Sequence, residues 1–119
     1  MTTGSTNFSL TTANADKGVT VVHIDGDIDA HTTKILQAKF GELYKTKHYK
    51  LIIDMAKVGY MSSSGASLLI VAQGQARENA GDVVLLNVNA SVTQVMDLLG
   101  LTPLFVIAPN KAAAMSAFQ

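Results

Sequence analysis

Short apolar, β-branched runs alternate with stretches of helical spacing along this chain, and that alternation constrains the fold more than any other feature. Residues 19–24, 51–54 and 83–86 each have strand length and are rich in Val, Ile and Leu. Between the first two, residues 32–44 set Ile35, Leu36, Phe40, Leu43 and Tyr44 on one stripe, while Lys34, Gln37, Lys39 and Glu42 fall largely elsewhere. That is an amphipathic helix, with Asp29 or Thr32 available to cap it. Residues 65–76 repeat Ala66, Leu68, Leu69, Ala72 and Ala76 at spacings near three and four, a second helix. Asn89 then offers a cap for a third, in which Val92, Val95, Met96 and Leu99 recur until Gly100 stops it.

The ends complete the order. Residues 8–12 are a weaker strand that can pair with 19–24 as a hairpin across 14–18. Residues 104–108 read as a last strand, and Pro109-Asn110 can open a terminal helix over which Ala113, Ala114 and Phe118 pack. The expected order is β-β-α-β-α-β-α-β-α. Strands joined through helices imply an α/β fold whose mixed, mostly parallel sheet has about five strands and about four helices.

A length of 119 residues with 48% hydrophobic content suits one compact domain, residues 1–119. Nine basic residues balance nine acidic ones, and no basic stretch is interleaved with aromatics, which argues against a nucleic-acid partner. The neutral total hides a local polarity. Lys34, Lys39, Lys45, Lys47, Lys50 and Lys57 share the middle of the chain, just after Asp25, Asp27 and Asp29. Without cysteine there are no disulfides, thiolate metal sites or thiol nucleophiles. Residues 1–18 lack the basic start and apolar stretch of a signal peptide, and no later run approaches membrane-spanning length. A soluble, cytoplasmic protein is expected, with no membrane partner.

Chemistry concentrates where the second strand-to-helix junction carries Tyr60-Met61-Ser62-Ser63-Ser64-Gly65. The first N–H groups of a helix have no partner within it and the helix dipole favours negative charge, so a phosphate here would be stabilised. The plainer role of such serines is capping, since any of these hydroxyls can accept from those N–H groups. Asp25, Asp27 and Asp29 alternate as acids do in a solvated turn. Asp54 can cap the loop after its strand or accept from the serine segment. His23, His31 and His48 fall in separate elements without metal-ligand spacing, which points to isolated structural or surface roles and to no metal site. No Gly-x-Ser-x-Gly elbow, P-loop or dinucleotide fingerprint is present. A Ser63–His31–Asp29 triad can be drawn on paper, but chain order does not establish its geometry. No enzyme and no cofactor are expected.

Two segments together resemble a known family, the STAS-domain anti-sigma factor antagonists of bacterial partner-switching systems. Gly26-Asp27-Ile28-Asp29-Ala30-His31-Thr32 is similar to that family's Gly-(Glu/Asp)-hydrophobic-Asp-x-x-(Thr/Ser) loop. Residues 51–65 resemble its strand followed by (Tyr/Phe)-Met-Asp-Ser-x-Gly, and Leu98-Leu99-Gly100-Leu101 resembles its Leu/Ser-Gly-Leu helix end. The likeness covers nearly the whole chain and implies the STAS fold. It also implies an anti-sigma factor with serine kinase activity as partner, a PP2C-type phosphatase that reverses the modification, and Ser63 as the phosphorylated residue.

Asp27, Asp29, His31, Thr32, Ser62, Ser63, Ser64 and Gly65 become the partner-binding candidates on the same ground. Ser62 stands where the family has its aspartate, and Gly65-Ala66-Ser67 replaces the usual Gly-Leu-Gly. Three outcomes follow: Ser63 is the acceptor, Ser62 or Ser64 takes its place, or the domain serves an assembly without ordinary phospho-regulation.

Overall fold

Among residues 7–118, which the computed structural model describes, five strands lie side by side in chain order. They are β1 (Ser9–Asn14), β2 (Thr20–Asp25), β3 (Lys50–Lys57), β4 (Asp82–Leu86) and β5 (Ile107–Ala108). β1 runs antiparallel to β2, and every other neighbouring pair is parallel. The helices between them are α1 (Thr32–Lys45), α2 (Ser63–Glu78) and α3 (Ala90–Leu98), with α4 (Lys111–Ser116) closing the order. The mixed sheet and its four helices are thus those expected. The first six residues of the polar opening segment, and Gln119, lie outside the described residues.

Alternation along the strands sorts the side chains into two cores. Val22, Ile24, Leu51, Ile53, Met55, Val83 and Leu85 face α1, α2 and α3, meeting Leu36, Phe40, Ala66, Leu69, Val92 and Met96. On the other face Val19, Val21, Ile52, Val84 and Leu86 pack with Ala108 and with Ala114 of α4. The Asn89 cap falls where the sequence places it, whereas α4 starts at Lys111, so Pro109 lies just before the helix and Asn110 is its cap. The side chains of Asn89 and Asn110 accept from the N–H groups of Val92 and Ala113, and Gly100 takes a φ of 71° just past α3.

Three expectations need correction. The last strand does not start at residue 104, because Thr102–Leu104 forms a 3-10 turn. Pro103 has no N–H to give a ladder, the Leu104 N–H donates back to Leu101, and the Leu104 carbonyl accepts from Gln73 Nε2 at 2.8 Å. Ile35 leaves the α1 stripe and stands 41% exposed, since a 3.6-residue period carries Leu36, Phe40, Leu43 and Tyr44 inward and turns their neighbour away. Leu99, the residue that caps the C-terminal end of α3, is 45% exposed because the helix stops there.

Candidate functional site

The β2–β3 ladder does not stop where its strands end. The register slips by one residue between His23 and Asp25, and then the Gly26 N–H donates to the Lys57 carbonyl at 3.0 Å. Further on, the Ile28 N–H donates to Tyr60 and the Ser62 N–H to Ile28, at 2.9 and 2.8 Å. Ile28 and Met61 thereby form a parallel bridge outside the named strands, and both side chains are buried. On its other side Gly26 lets the backbone at Asn7 and Phe8 come close. Its φ of 125° suits glycine, and a Cβ there would lie 2.3 Å from the Asn7 carbonyl oxygen.

Residues 27–32 are then knotted into a tight turn at the start of α1. The Thr32 hydroxyl donates to the Asp27 carbonyl at 2.7 Å and accepts from the Asp29 N–H at 2.8 Å. In return Asp29 Oδ1 accepts from the N–H groups of Thr32 and His31, at 2.8 and 2.9 Å. This is the reciprocal arrangement of a capping box, so Asp29 and Thr32 cap the helix together. The hydrogen bond from the Thr32 backbone holds the Asp29 carboxyl below its ordinary range, helped by the Thr32 hydroxyl, the His31 N–H and the nearby His31 charge. Thr32 is buried, whereas Asp27 and His31 are exposed.

The serines open α2 as expected. Ser62 is the N-cap, with its backbone extended and its Oγ accepting from the Gly65 N–H at 3.3 Å. Ser62 Oγ and Ser64 Oγ lie 2.8 Å apart, within hydrogen-bond reach of each other. Ser63, the first residue of the helix, is exposed. Gly65 is buried behind them because nothing larger fits: a Cβ would come within 2.6 Å of Ile28 Cγ2 and 3.0 Å of Met61 Cγ. Asn89 Nδ2 donates to the Val58 carbonyl at 2.8 Å, tying the start of α3 to the loop that carries the serines.

Two hollows flank this surface. A polar cleft of about 420 Å³ is lined by Asn7, Phe8, Asp25, Asp27, Asp29 and Thr32. A shallower groove of about 250 Å³ runs between α1 and α2, past Thr33, Gln37, Ser64, Ser67, Leu68 and Val71. Tyr60, which opens the serine motif, is 48% exposed, and Val71, exposed at 58%, was not among the residues the motifs pointed to. Val71 falls off the α2 apolar stripe, and an apolar residue off its stripe is the signal that could have found it.

Elsewhere the acids and histidines pair in ways spacing does not reveal. Asp54 does cap its own loop, accepting from the Ala56 N–H at 3.1 Å, but its other oxygen meets His23 Nδ1 at 2.9 Å instead of the serines. Register explains this, for His23 and Asp54 are partners across β2 and β3, so His23 is not isolated. His48 shares a hydrogen bond with the Thr46 hydroxyl. Asp29 Oδ1 is directed at backbone N–H groups, which leaves the paper triad without its acid-to-imidazole bond. Among the described residues no group of three or more His, Asp or Glu is placed to hold a metal ion. No described helix is long and apolar enough to cross a membrane.

Residues 11–114 match the sequence profile of the STAS domain. The chain belongs to the STAS domain family. Over 103 residues this STAS domain is 27% identical to the anti-sigma-B factor antagonist of Listeria monocytogenes, covering 85% of this chain and 89% of that one. Its fold superposes on an anti-sigma factor antagonist from Mycobacterium paratuberculosis with a TM-score of 0.83, at 23% identity and covering 94% of both chains. The phosphorylated form of the Bacillus cell fate determinant SpoIIAA superposes with a TM-score of 0.72, at 20% identity, over 93% of this STAS domain and 100% of that chain.

Proposed function

We propose that this STAS domain is an anti-sigma factor antagonist that binds an anti-sigma factor with serine kinase activity and is switched off by phosphorylation at Ser63. A PP2C-type phosphatase restores the binding form. The cycle runs in the cytoplasm, and the chain acts in it as a single domain with a binding rather than a catalytic role.

The observation that carries this reading is the Ile28–Met61 bridge, which joins residues 27–32 and 62–65 into one surface. Asp27 and His31 offer exposed side chains on the first segment, while Asp29, Thr32 and Gly65 hold its shape. Ser63 and Ser64 are both exposed, but Ser63 is the favoured acceptor because the Ser62 and Ser64 hydroxyls meet each other and Ser62 also caps the helix. Phosphate adds roughly −1.5 to −2 charges and three acceptor oxygens, which the free N–H groups of the first turn tolerate and a closely fitted partner does not. No refolding is required. The antagonist names of the relatives, and a solved phosphorylated form on the same fold, support the assignment.

Ser62 favours a second reading. It supplies the cap that an aspartate would supply but not the charge, which suits an assembly subunit with altered or absent phospho-regulation. Incubation with the cognate kinase and ATP, followed by site-resolved mass spectrometry, separates the two. Phosphate on Ser63 supports the switch; none on Ser62, Ser63 or Ser64 supports the assembly.

A further inference from the structure

The two edges of the sheet are built differently. β5 is two residues long, with Pro103 upstream and Pro109 directly after it, and so short an edge offers little to pair with. β1 is six residues, Ser9-Leu10-Thr11-Thr12-Ala13-Asn14, exposed along most of its length and in unbroken register with β2. Its sequence has no charge, no proline and no glycine. Among the described residues its outer edge pairs with no strand. Among the described residues the usual devices that protect an edge from another chain are missing.

One hydrogen bond fixes which backbone groups face outward. The Ala15 N–H donates to the Val19 carbonyl at 2.7 Å, in line with the β1–β2 register. Opposed residues of an antiparallel ladder alternate between pairs that exchange hydrogen bonds and pairs whose N–H and C=O groups point away. Counting back from Ala15, residues Ala13, Thr11 and Ser9 turn these groups to β2. Asn14, Thr12 and Leu10 turn theirs outward.

We propose that β1 is a homodimerisation edge, on which a second copy lays its own β1 antiparallel about a two-fold axis at Thr12. The three outward residues are spaced symmetrically about Thr12, so that residue meets its twin while Leu10 meets Asn14. About six hydrogen bonds then cross the joint, and opposed side chains share a face as a continuous sheet demands. Thr facing Thr is a favourable cross-strand pair, and no like charges meet within the strand. An isologous contact needs the same patch to fit itself, and an uncharged edge on which Thr12 meets Thr12 satisfies that need. One strand pair is less than a standard interface, so the dimer is weak. None of this rests on the partner-switching reading.

Sedimentation equilibrium of the full chain is the test, from micromolar to millimolar concentration. A reversible monomer–dimer equilibrium is expected for the wild type. Thr12→Pro removes an outward N–H and leaves the β2 ladder whole, and Thr12→Lys places a charge on the axis; each is expected to weaken dimerisation by at least about tenfold. Hydrogen exchange supplies a readout independent of any variant: the Thr12 and Asn14 amides gain protection as concentration rises, while those of Thr11 and Ala13 are protected throughout. A wild type that stays monomeric at millimolar concentration overturns the proposal. So does a dimer that both folded variants leave intact.

Discussion

The Ile28 carbonyl accepts from the Ser62 N–H at 2.8 Å, so a residue of the loop before α1 holds the cap of α2. Two segments more than thirty positions apart are therefore parts of one backbone structure. Gly65 lets them close, because a side chain there would strike Ile28 and Met61. Gly65→Ala is expected to lower stability by about 1–3 kcal/mol through overpacking, read as a lower urea midpoint at unchanged slope. An unaltered midpoint would show that the junction has slack.

Ser62 does an acid's structural work without its charge. Ser62→Ala removes the acceptor for the Gly65 N–H and is expected to cost about 1 kcal/mol of stability, whereas Ser62→Asp keeps the cap and stays close to wild type. Equal losses for both variants would mean that the hydroxyl contact with Ser64, and not capping, is what matters.

Asp29 should make the first loop sensitive to acid. Its carboxyl is lowered in the folded protein, chiefly by the Thr32 N–H, so its contribution is present above the unfolded-state pKa and drains away as pH falls through the folded-state value. Asp29→Asn keeps an oxygen acceptor but has no charge to lose. The stability gap between wild type and variant is expected to be widest near neutrality and to narrow below about pH 4. Denaturant titrations at several pH values check this, and a gap independent of pH would contradict it.

Much of the fold was legible because local rules and tertiary packing agree in it. The strand runs at β2, β3 and β4, the cap at Asn89 and the stop at Gly100 all follow from patterns of a few residues. The last strand was overextended because the Leu104 carbonyl is claimed by Gln73, thirty-one positions earlier, a contact no local window contains. The His23–Asp54 pair was hidden for the same reason, since it depends on the β2–β3 register. At the candidate site, the two motifs lie on segments that the Ile28–Met61 bridge brings together, while the division of labour within them needed geometry. Asp29 and Thr32 spend their side chains on the turn; Asp27 and His31 do not.

Binding should follow charge at one position. Ser63→Ala is expected to bind the anti-sigma factor about as tightly as wild type, and Ser63→Asp to bind at least about tenfold more weakly, by titration calorimetry. Equal affinities for all three would place the start of α2 outside the interface.

Site-resolved mass spectrometry after incubation with the cognate kinase and ATP bears most directly on the switch. One phosphate on Ser63, absent from the Ser63→Ala protein, is the expected result. No phosphate on Ser62, Ser63 or Ser64 would contradict it.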